Sequence, residues 1–242
     1  MKMIDIHTHI LPFIDDGACD LNEAYELIKL LDEQNVQTAV CTPHFNPTKV
    51  SLDEFIHKRD KSLSLLVESK INLIPASETA LHPYLFHYPD IDGLCIKNTR
   101  YLLVELPFDK KWDNPVFDML ERLCSFYNVI PIIAHVERYP AIKNNVRIIE
   151  KLKESGCTIQ LNTTSIIDKK NRKRVLHYIE NGYIDVLGSD CHNIKTRYPI
   201  IRDALDIVNI NLGAKYNSQL IENAHLIIDG KERKRKIIYI ME

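Results

Sequence analysis

Glycine is scarce in this chain, seven residues in 242, and none belongs to a G-x-G-x-x-G or Walker A pattern. An open nucleotide-binding sheet places such a turn behind its first strand, so that architecture is disfavoured. The six cysteines, at positions 19, 41, 95, 124, 157 and 191, include no C-x-x-C pair. They read as reduced core thiols, Cys41 at a strand end among them, and neither a disulfide framework nor a zinc ribbon is expected. Neither sign of charge dominates: 31 Lys and Arg stand against 33 Asp and Glu, a formal charge of −2. That balance is too weakly basic to grip nucleic-acid phosphates, which disfavours a nuclease. The basic cluster Lys231 to Lys236 reads as a solvated tail over about 230–242. Apolar stretches stay short, Val129 to Ala134 being typical, far below the roughly 18 residues of a bilayer span, so no membrane insertion is expected. Met1-Lys2-Met3-Ile4-Asp5-Ile6-His7 puts Asp and His where a signal peptide needs apolar residues, and a cytoplasmic location follows as the expectation.

What remains is an ordinary globular composition, 45% hydrophobic and 26% charged, with no low-complexity linker. A compact chain of this size buries roughly 70–75% of its unfolded surface and needs no metal merely to fold, so any metal site would be functional. Short β-branched runs alternate with longer amphipathic stretches over nearly the whole length, the pattern of repeated βα units in one domain, residues 1–242. Strands are expected at Met3 to Ile6, Thr38 to Cys41, Asn72 to Ala76, Tyr101 to Val104, Ile130 to Ala134, Thr158 to Leu161 and Asp185 to Leu187. Helices are expected at about 21–34, 51–68, 114–127, 146–155, 172–181, 200–208 and 214–222. Ser51-Leu52-Asp53-Glu54 has capping-box spacing, Pro115 suits a first helical turn, and Gly156 and Gly182 fall where left-handed helix ends belong. Seven strands alternating with helices indicate an α/β fold with a parallel sheet, and a barrel is favoured over an open sheet.

The informative residues follow the strands. His7 and His9 follow the first, with Asp16 in the loop behind them; His44 follows the second, Glu78 the third, Glu105 the fourth, His135 the fifth, and Asp190 with His192 the seventh. Positions 7, 44, 78, 105 and 135 are 37, 34, 27 and 30 residues apart, about one βα unit each, and the step of 55 to Asp190 is two units. The skipped sixth strand ends at Asn162. In a parallel barrel all these ends open on one face, where active sites are built. Nine donors, five His, two Asp and two Glu, are too many for one ion and suit two or three. Four unpaired carboxylates in one cleft would repel one another, so cations must separate them. Imidazole and carboxylate donors without thiolate suit Mn, Fe or Zn alike. Arg138 and Arg197 follow the ligands closely, and guanidinium forks hold phosphoryl oxygens bidentately.

Two rival readings arise from the same residues. Cys191 and Arg197 have the C-x5-R spacing of thiolate phosphatases, yet the intervening His192-Asn193-Ile194-Lys195-Thr196 has no glycine. Strand alternation also points Cys191 away from Asp190 and His192. Phe108 and Trp112, the only tryptophan, read as packing against the following helix in preference to an apolar wall for an aromatic substrate.

Asp5-Ile6-His7-Thr8-His9, Asp15-Asp16-Gly17, Thr42-Pro43-His44, Glu78, Glu105, Ala134-His135-Val136-Glu137-Arg138-Tyr139 and Ser189-Asp190-Cys191-His192-Asn193 together resemble the PHP (polymerase and histidinol phosphatase) superfamily. Within it they resemble the bacterial metal-dependent protein-tyrosine phosphatases of the CpsB/CapC type, from Met1 to about Asp229. The resemblance implies a distorted seven-stranded (β/α) TIM-like barrel and two or three divalent metal ions, usually Mn²⁺. By this likeness one ion takes His7, His9, Glu78 and Asp190; Glu78 bridges to a second held by Glu105 and His135; and Asp16, His44 and His192 hold the third. It further implies hydrolysis of phosphotyrosine by a metal-bridged hydroxide with Arg138 and Arg197 on the phosphoryl group. The implied substrate is the tail of a tyrosine autokinase of capsule or exopolysaccharide synthesis. Histidinol-phosphate phosphatase activity, or a non-catalytic metal-binding scaffold docking on a kinase tail, are the alternatives. Phe45 to Val50 and Leu81 to Asn98 look individual to this chain.

Overall fold

The computed structural model describes residues 2–109, 112, 114–143 and 145–232. The basic cluster expected near the C-terminus lies outside the described residues beyond Glu232. The strands are β1 (Met3–Thr8), β2 (Val36–Cys41), β3 (His44–Phe45), β4 (Asn72–Pro75), β5 (Glu78–Ala80), β6 (Tyr101–Glu105), β7 (Ile130–Ile133), β8 (Thr158–Asn162) and β9 (Val186–Gly188). The helices are α1 (Leu21–Glu33), α2 (Leu52–Leu63), α3 (Asn114–Phe126), α4 (Arg147–Glu154), α5 (Thr163–Ile167), α6 (Lys169–Glu180), α7 (Ile201–Leu212) and α8 (Ala214–Ile228).

The strands pair in parallel throughout, in the orders β1-β2-β4 and β3-β5-β6-β7-β8-β9. Nine strand segments therefore stand, among the described residues, where seven runs were expected. Proline accounts for the difference. Pro43 has no N–H to give a ladder, so the run begun by β2 breaks and resumes as β3; Pro75 likewise ends β4, and β5 takes up its line. Backbone bonds cross the breaks, from Ala76 N–H to Cys41 O (2.9 Å) and from Glu78 N–H to Pro43 O (3.0 Å). At the other edge Asp190 N–H donates to His7 O (2.8 Å) and His9 N–H to Cys191 O (2.9 Å). The result is a mixed α/β fold whose parallel strands curve into a half-barrel.

Strands β1, β6 and β8 are buried on both faces, as covered parallel strands require. Along β6, Leu102 and Val104 join the large cluster packed under the helices, while Tyr101 and Leu103 join a smaller one with Ile4, Ile6, Val40, Ile132 and Val186. Ala224 and Ile227 of α8 complete the smaller cluster. Helix starts follow the expected chemistry: Ser51 Oγ accepts from Glu54 N–H and Asp20 Oδ1 from Glu23 N–H. The helix begun at Leu52 ends at Leu63 rather than running towards Glu68. Past the turn at Ser64 its apolar positions do not stay on one face, Val67 being 84% exposed. Gly156 and Gly182 have φ of 91° and 72°, the left-handed helix ends their positions implied. Helix α5, unforeseen, starts directly after Asn162 with no intervening loop. Among the described residues no helix is long and apolar enough to cross a membrane.

Candidate metal centre

Because the strands are parallel, their C-terminal ends deliver all nine predicted donors to one place. His7 lies in β1 and His9 just beyond it; His44 opens β3, Glu78 opens β5 and Glu105 closes β6; His135 follows β7, and Asp190 and His192 follow β9. His135 (φ 33°) and Asp190 (φ 55°) occupy the left-handed region. That conformation costs an L-residue about 1–2 kcal/mol and persists where the surrounding structure over-determines it, commonly at a functional site.

Three sets of donor atoms converge, each within 4.8 Å of one another: His7, His9, Glu78 and Asp190; His9, Asp16, His44 and His192; and His44, Glu78 and Glu105. His135 Nε2 joins the last from 2.8 Å to Glu78 Oε1 and 3.5 Å to Glu105 Oε1. His7, His9, Glu78, His135, Asp190 and His192 are buried, whereas Asp16, His44 and Glu105 face the open side.

The donor set fits divalent cations on its geometry. His7 Nδ1 faces Gln160 Oε1 (3.2 Å) and His9 Nδ1 faces Asp15 Oδ2 (2.8 Å), so both Nδ1 atoms must donate. Neutral rings then turn bare Nε2 lone pairs to each other at 3.1 Å. Glu78 Oε2 lies 3.3 Å from both, and Asp190 Oδ1 lies 3.4 and 3.5 Å away. Four lone pairs meet with no hydrogen between them, and Glu78 Oε2 and His192 Nε2 are buried without a hydrogen-bond partner. Only positive charge relieves such an arrangement, as protons or as metal.

Without metal, protons take that part. Burial opposes a charged His9, but its hydrogen bonds to Asp15 and Glu78 prevail and push the ring up to about 10. At His135 burial is likewise outweighed, by Glu105 and Glu78, and the ring rises to about 9. Burial would raise Glu78 and Asp190, yet the neighbouring His7 charge holds both carboxyls well below their usual range. His192 behaves oppositely: burial, reinforced by repulsion from His9, lowers it to about 4, leaving a neutral imidazole suited to ligation.

Arg138 Nη1 and Arg197 Nη2 both reach Asp190 Oδ2, at 3.2 and 2.8 Å, and both side chains are partly exposed. With Glu137, Asn162 and Ser165 they line a cavity of about 340 Å³ beside the cluster. The thiolate reading of Cys191 fails here. Its side chain is fully buried in the large apolar cluster, burial pushes the thiol well up, and Arg197 is turned to Asp190. Trp112 is half-buried, its Nε1–H on Pro107 O and its ring edge-on to Tyr139. Phe108 corrects the expectation: it is 46% exposed, its ring 5.7 Å from that of His135 and 5.4 Å from the Arg138 guanidinium.

Sequence reasoning passed over the supports of the cluster. Asp15 accepts from His9 through Oδ2, from His44 N–H (2.9 Å) and from Gly17 N–H (3.0 Å). Burial would raise its carboxyl, but His9 holds it well below the usual range. A Cβ on Gly17 would stand 2.1 Å from His9 O, so the turn admits no side chain there. The Asp15-Asp16-Gly17 turn carried this signal. Gln160 and Asn162 were signalled only by polar residues alternating with apolar ones along a fully buried strand.

Residues 3–229 match the family described as capsular polysaccharide synthesis, CpsB/CapC. The chain is similar to the tyrosine-protein phosphatase YwqE of Bacillus subtilis (strain 168), 31% identical over 243 residues, covering 93% of this chain and 91% of that protein. It is similar to the tyrosine-protein phosphatase CpsB of Streptococcus agalactiae serotype V, 28% identical over 242 residues, 93% of this chain and 98% of the other. Among solved structures it resembles one described with YwqE of B. subtilis and CpsB of Streptococcus pneumoniae as metal-dependent tyrosine phosphatases. There the TM-score is 0.85 at 28% identity, with 97% of each chain covered.

Proposed function

The chain belongs to the CpsB/CapC family, and from that membership and the convergent donor set we propose that it is a metal-dependent protein-tyrosine phosphatase hydrolysing phosphotyrosine phosphomonoesters. The observation that carries the reading is the convergence of His7 Nε2 and His9 Nε2, 3.1 Å apart, on Glu78 Oε2 and Asp190 Oδ1, each 3.3–3.5 Å from both nitrogens. The substrate is a tyrosine-phosphorylated protein, in this family's setting the tail of a kinase governing capsule or exopolysaccharide assembly. The enzyme is cytoplasmic and forms one domain, its interrupted strand lines counting as seven and closing into a distorted barrel.

His7, His9, Glu78 and Asp190 would hold one cation, Glu78 with Glu105 and His135 a second, and Asp16, His44 and His192 a third, Mn²⁺ being the ion we favour. When bound, these ions supply Lewis acidity that lowers the pKa of water and charge that offsets the phosphoryl oxygens. The chain's own residues do the rest. Arg138 and Arg197 direct two guanidiniums to one face of the cluster, where phosphoryl oxygens can take them bidentately. The buried side of the cluster excludes water, while Asp16, His44 and Glu105 leave the opposite side open for entry. Phe108, on that approach, supports the phenyl ring of the substrate.

Metal-stripped protein should be inactive on a phosphotyrosine peptide and regain turnover with Mn²⁺, while His135→Ala should stay inactive under both conditions. Turnover of histidinol phosphate without turnover of the peptide would replace this reading with the related phosphatase activity. Stoichiometric metal and peptide binding without any hydrolysis would leave a scaffold. Phe108→Ala should lower kcat/KM for aryl phosphate esters roughly 3- to 10-fold, the worth of one aromatic contact, and leave aliphatic phosphate esters within about twofold. Equal losses on both substrate types would remove Phe108 from the role of ring support.

A further inference from the structure

Strand β8 contributes none of the nine donors, yet it carries two buried polar side chains, Gln160 and Asn162, directly behind them. Their hydrogen bonds form a chain whose direction is set at one end. His135 N–H is a backbone donor and nothing else, and it lies 2.6 Å from Gln160 Oε1. The amide of Gln160 therefore has its oxygen on that side. The same oxygen lies 3.2 Å from His7 Nδ1, which must then carry the hydrogen and leave Nε2 bare towards the cluster. At the other end of the amide, Gln160 Nε2 donates to Asn162 Oδ1 (2.9 Å), which turns Asn162 Nδ2 outward to Asp190 Oδ2 (2.7 Å). Asp190 Oδ1 is thereby left for the cluster.

We propose that Gln160 is a positioning residue of the metal centre, fixing the ring proton of His7 and, through Asn162, the orientation of Asp190, both set by the single backbone N–H of His135. The proposal rests on the metal-binding reading of the cluster. The neighbouring strand is shaped to the same end. A Cβ on Gly188 would come within 2.6 Å of His7 Cβ and 3.0 Å of Gln160 Nε2, so glycine there leaves His7 and Gln160 room to meet. Partners on the far nitrogen of a ligating imidazole fix its tautomer and raise its basicity, and their loss commonly costs 10- to 100-fold in metal affinity.

The test uses the full chain with Mn²⁺ as the titrant for affinity and Zn²⁺ as a diamagnetic probe for ring protonation. Gln160→Met keeps length but removes both the acceptor and the donor; Gln160→Glu keeps an acceptor for His7 and for the His135 N–H. Gln160→Met should weaken Mn²⁺ binding about 10- to 100-fold, and Gln160→Glu, which keeps the acceptor for His7 but loses the donor to Asn162, should recover part of it. In the Zn²⁺-loaded parent, a long-range ¹H–¹⁵N spectrum should show the His7 ring proton on Nδ1, the resonance being assigned by its loss in His7→Gln. Gln160→Met binding Mn²⁺ as tightly as the parent, or Gln160→Glu failing as badly as Gln160→Met, would overturn the proposal. So would a His7 ring proton on Nε2 in the parent, a result that needs no variant at Gln160 to fold. A parent that binds no metal at all would instead overturn the reading beneath it.

Discussion

Exchanging Glu78 for glutamine should lower kcat/KM for a phosphotyrosine peptide by about 10³-fold and reduce the bound metal per chain. Glu78 is 1% exposed and stands in the middle of the donors. Its Oε2 is 3.3 Å from the Nε2 atoms of both His7 and His9 and 3.1 Å from His44 Nδ1, and its Oε1 is 2.8 Å from His135 Nε2. No other side chain reaches so many of the cluster's imidazoles among the described residues. Glutamine keeps the shape and removes the negative charge that sits between two proposed ions. A bound cation contributes several kcal/mol of transition-state stabilisation, and losing about 4 kcal/mol corresponds to the stated factor. Steady-state kinetics beside elemental analysis decides the matter. A loss below tenfold with full metal content would mean that Glu78 does not bridge.

Stripping metal should lower the unfolding midpoint by about 5–16 °C, restored by adding Mn²⁺. A ligand present at 100 to 1,000 times its Kd stabilises the folded state by about 2.7–4.1 kcal/mol, and each kcal/mol moves the midpoint of a chain this long by about 2–4 °C. The difference should widen as pH rises. In the metal-free protein His9 and His135 titrate near 10 and 9, above the ordinary histidine value of about 6.5. Groups raised on folding contribute stability that is fully present below the unfolded value and lost as pH climbs through the folded one. Between about pH 6.5 and 9 the stripped protein therefore loses stability. His192, lowered to about 4, and Asp5, raised to about 6 by burial despite its bonds to Ser189 and His7, have finished titrating below that window. Metal binding requires unprotonated imidazoles and strengthens over the same range. Calorimetric scans at several pH values, with and without Mn²⁺, should show diverging midpoints; parallel curves would mean that protons do not take the cation's place at His9 and His135.

The ordered donors were readable because parallel βα units leave little freedom. If one strand end faces the site, all do, and residues about 30 apart must meet. His7 and Asp190 could be placed together on that argument alone. What could not be read depends on partners distant in sequence. Gln160 is an unremarkable polar residue until His135 N–H and His7 Nδ1 are seen to share its oxygen. Asp15 stood beside the predicted Asp16 but works from behind the cluster, on His9 and His44. Trp112 gives its indole N–H to Pro107 O and is half-buried, while Phe108 has no such donor and stays largely exposed. The expected strand lines were sound in position, but an interruption at Pro43 changes which residues pair, and composition does not reveal where a proline will fall in a ladder.

The seam between β1 and the segment after β9 sets an order of events during synthesis. His7 and Asp190 are far apart in sequence yet share a backbone hydrogen bond, Asp190 N–H to His7 O. A nascent chain exposes its first histidines early, with their partners still to be made, and domains whose contacts span the whole sequence fold only when the last strand is delivered. A cation held by His7, His9 and Asp190 would clasp together two segments distant in sequence. A chain cut short before Val186 would keep seven of the nine donors and lose Asp190 and His192, the two that close the seam.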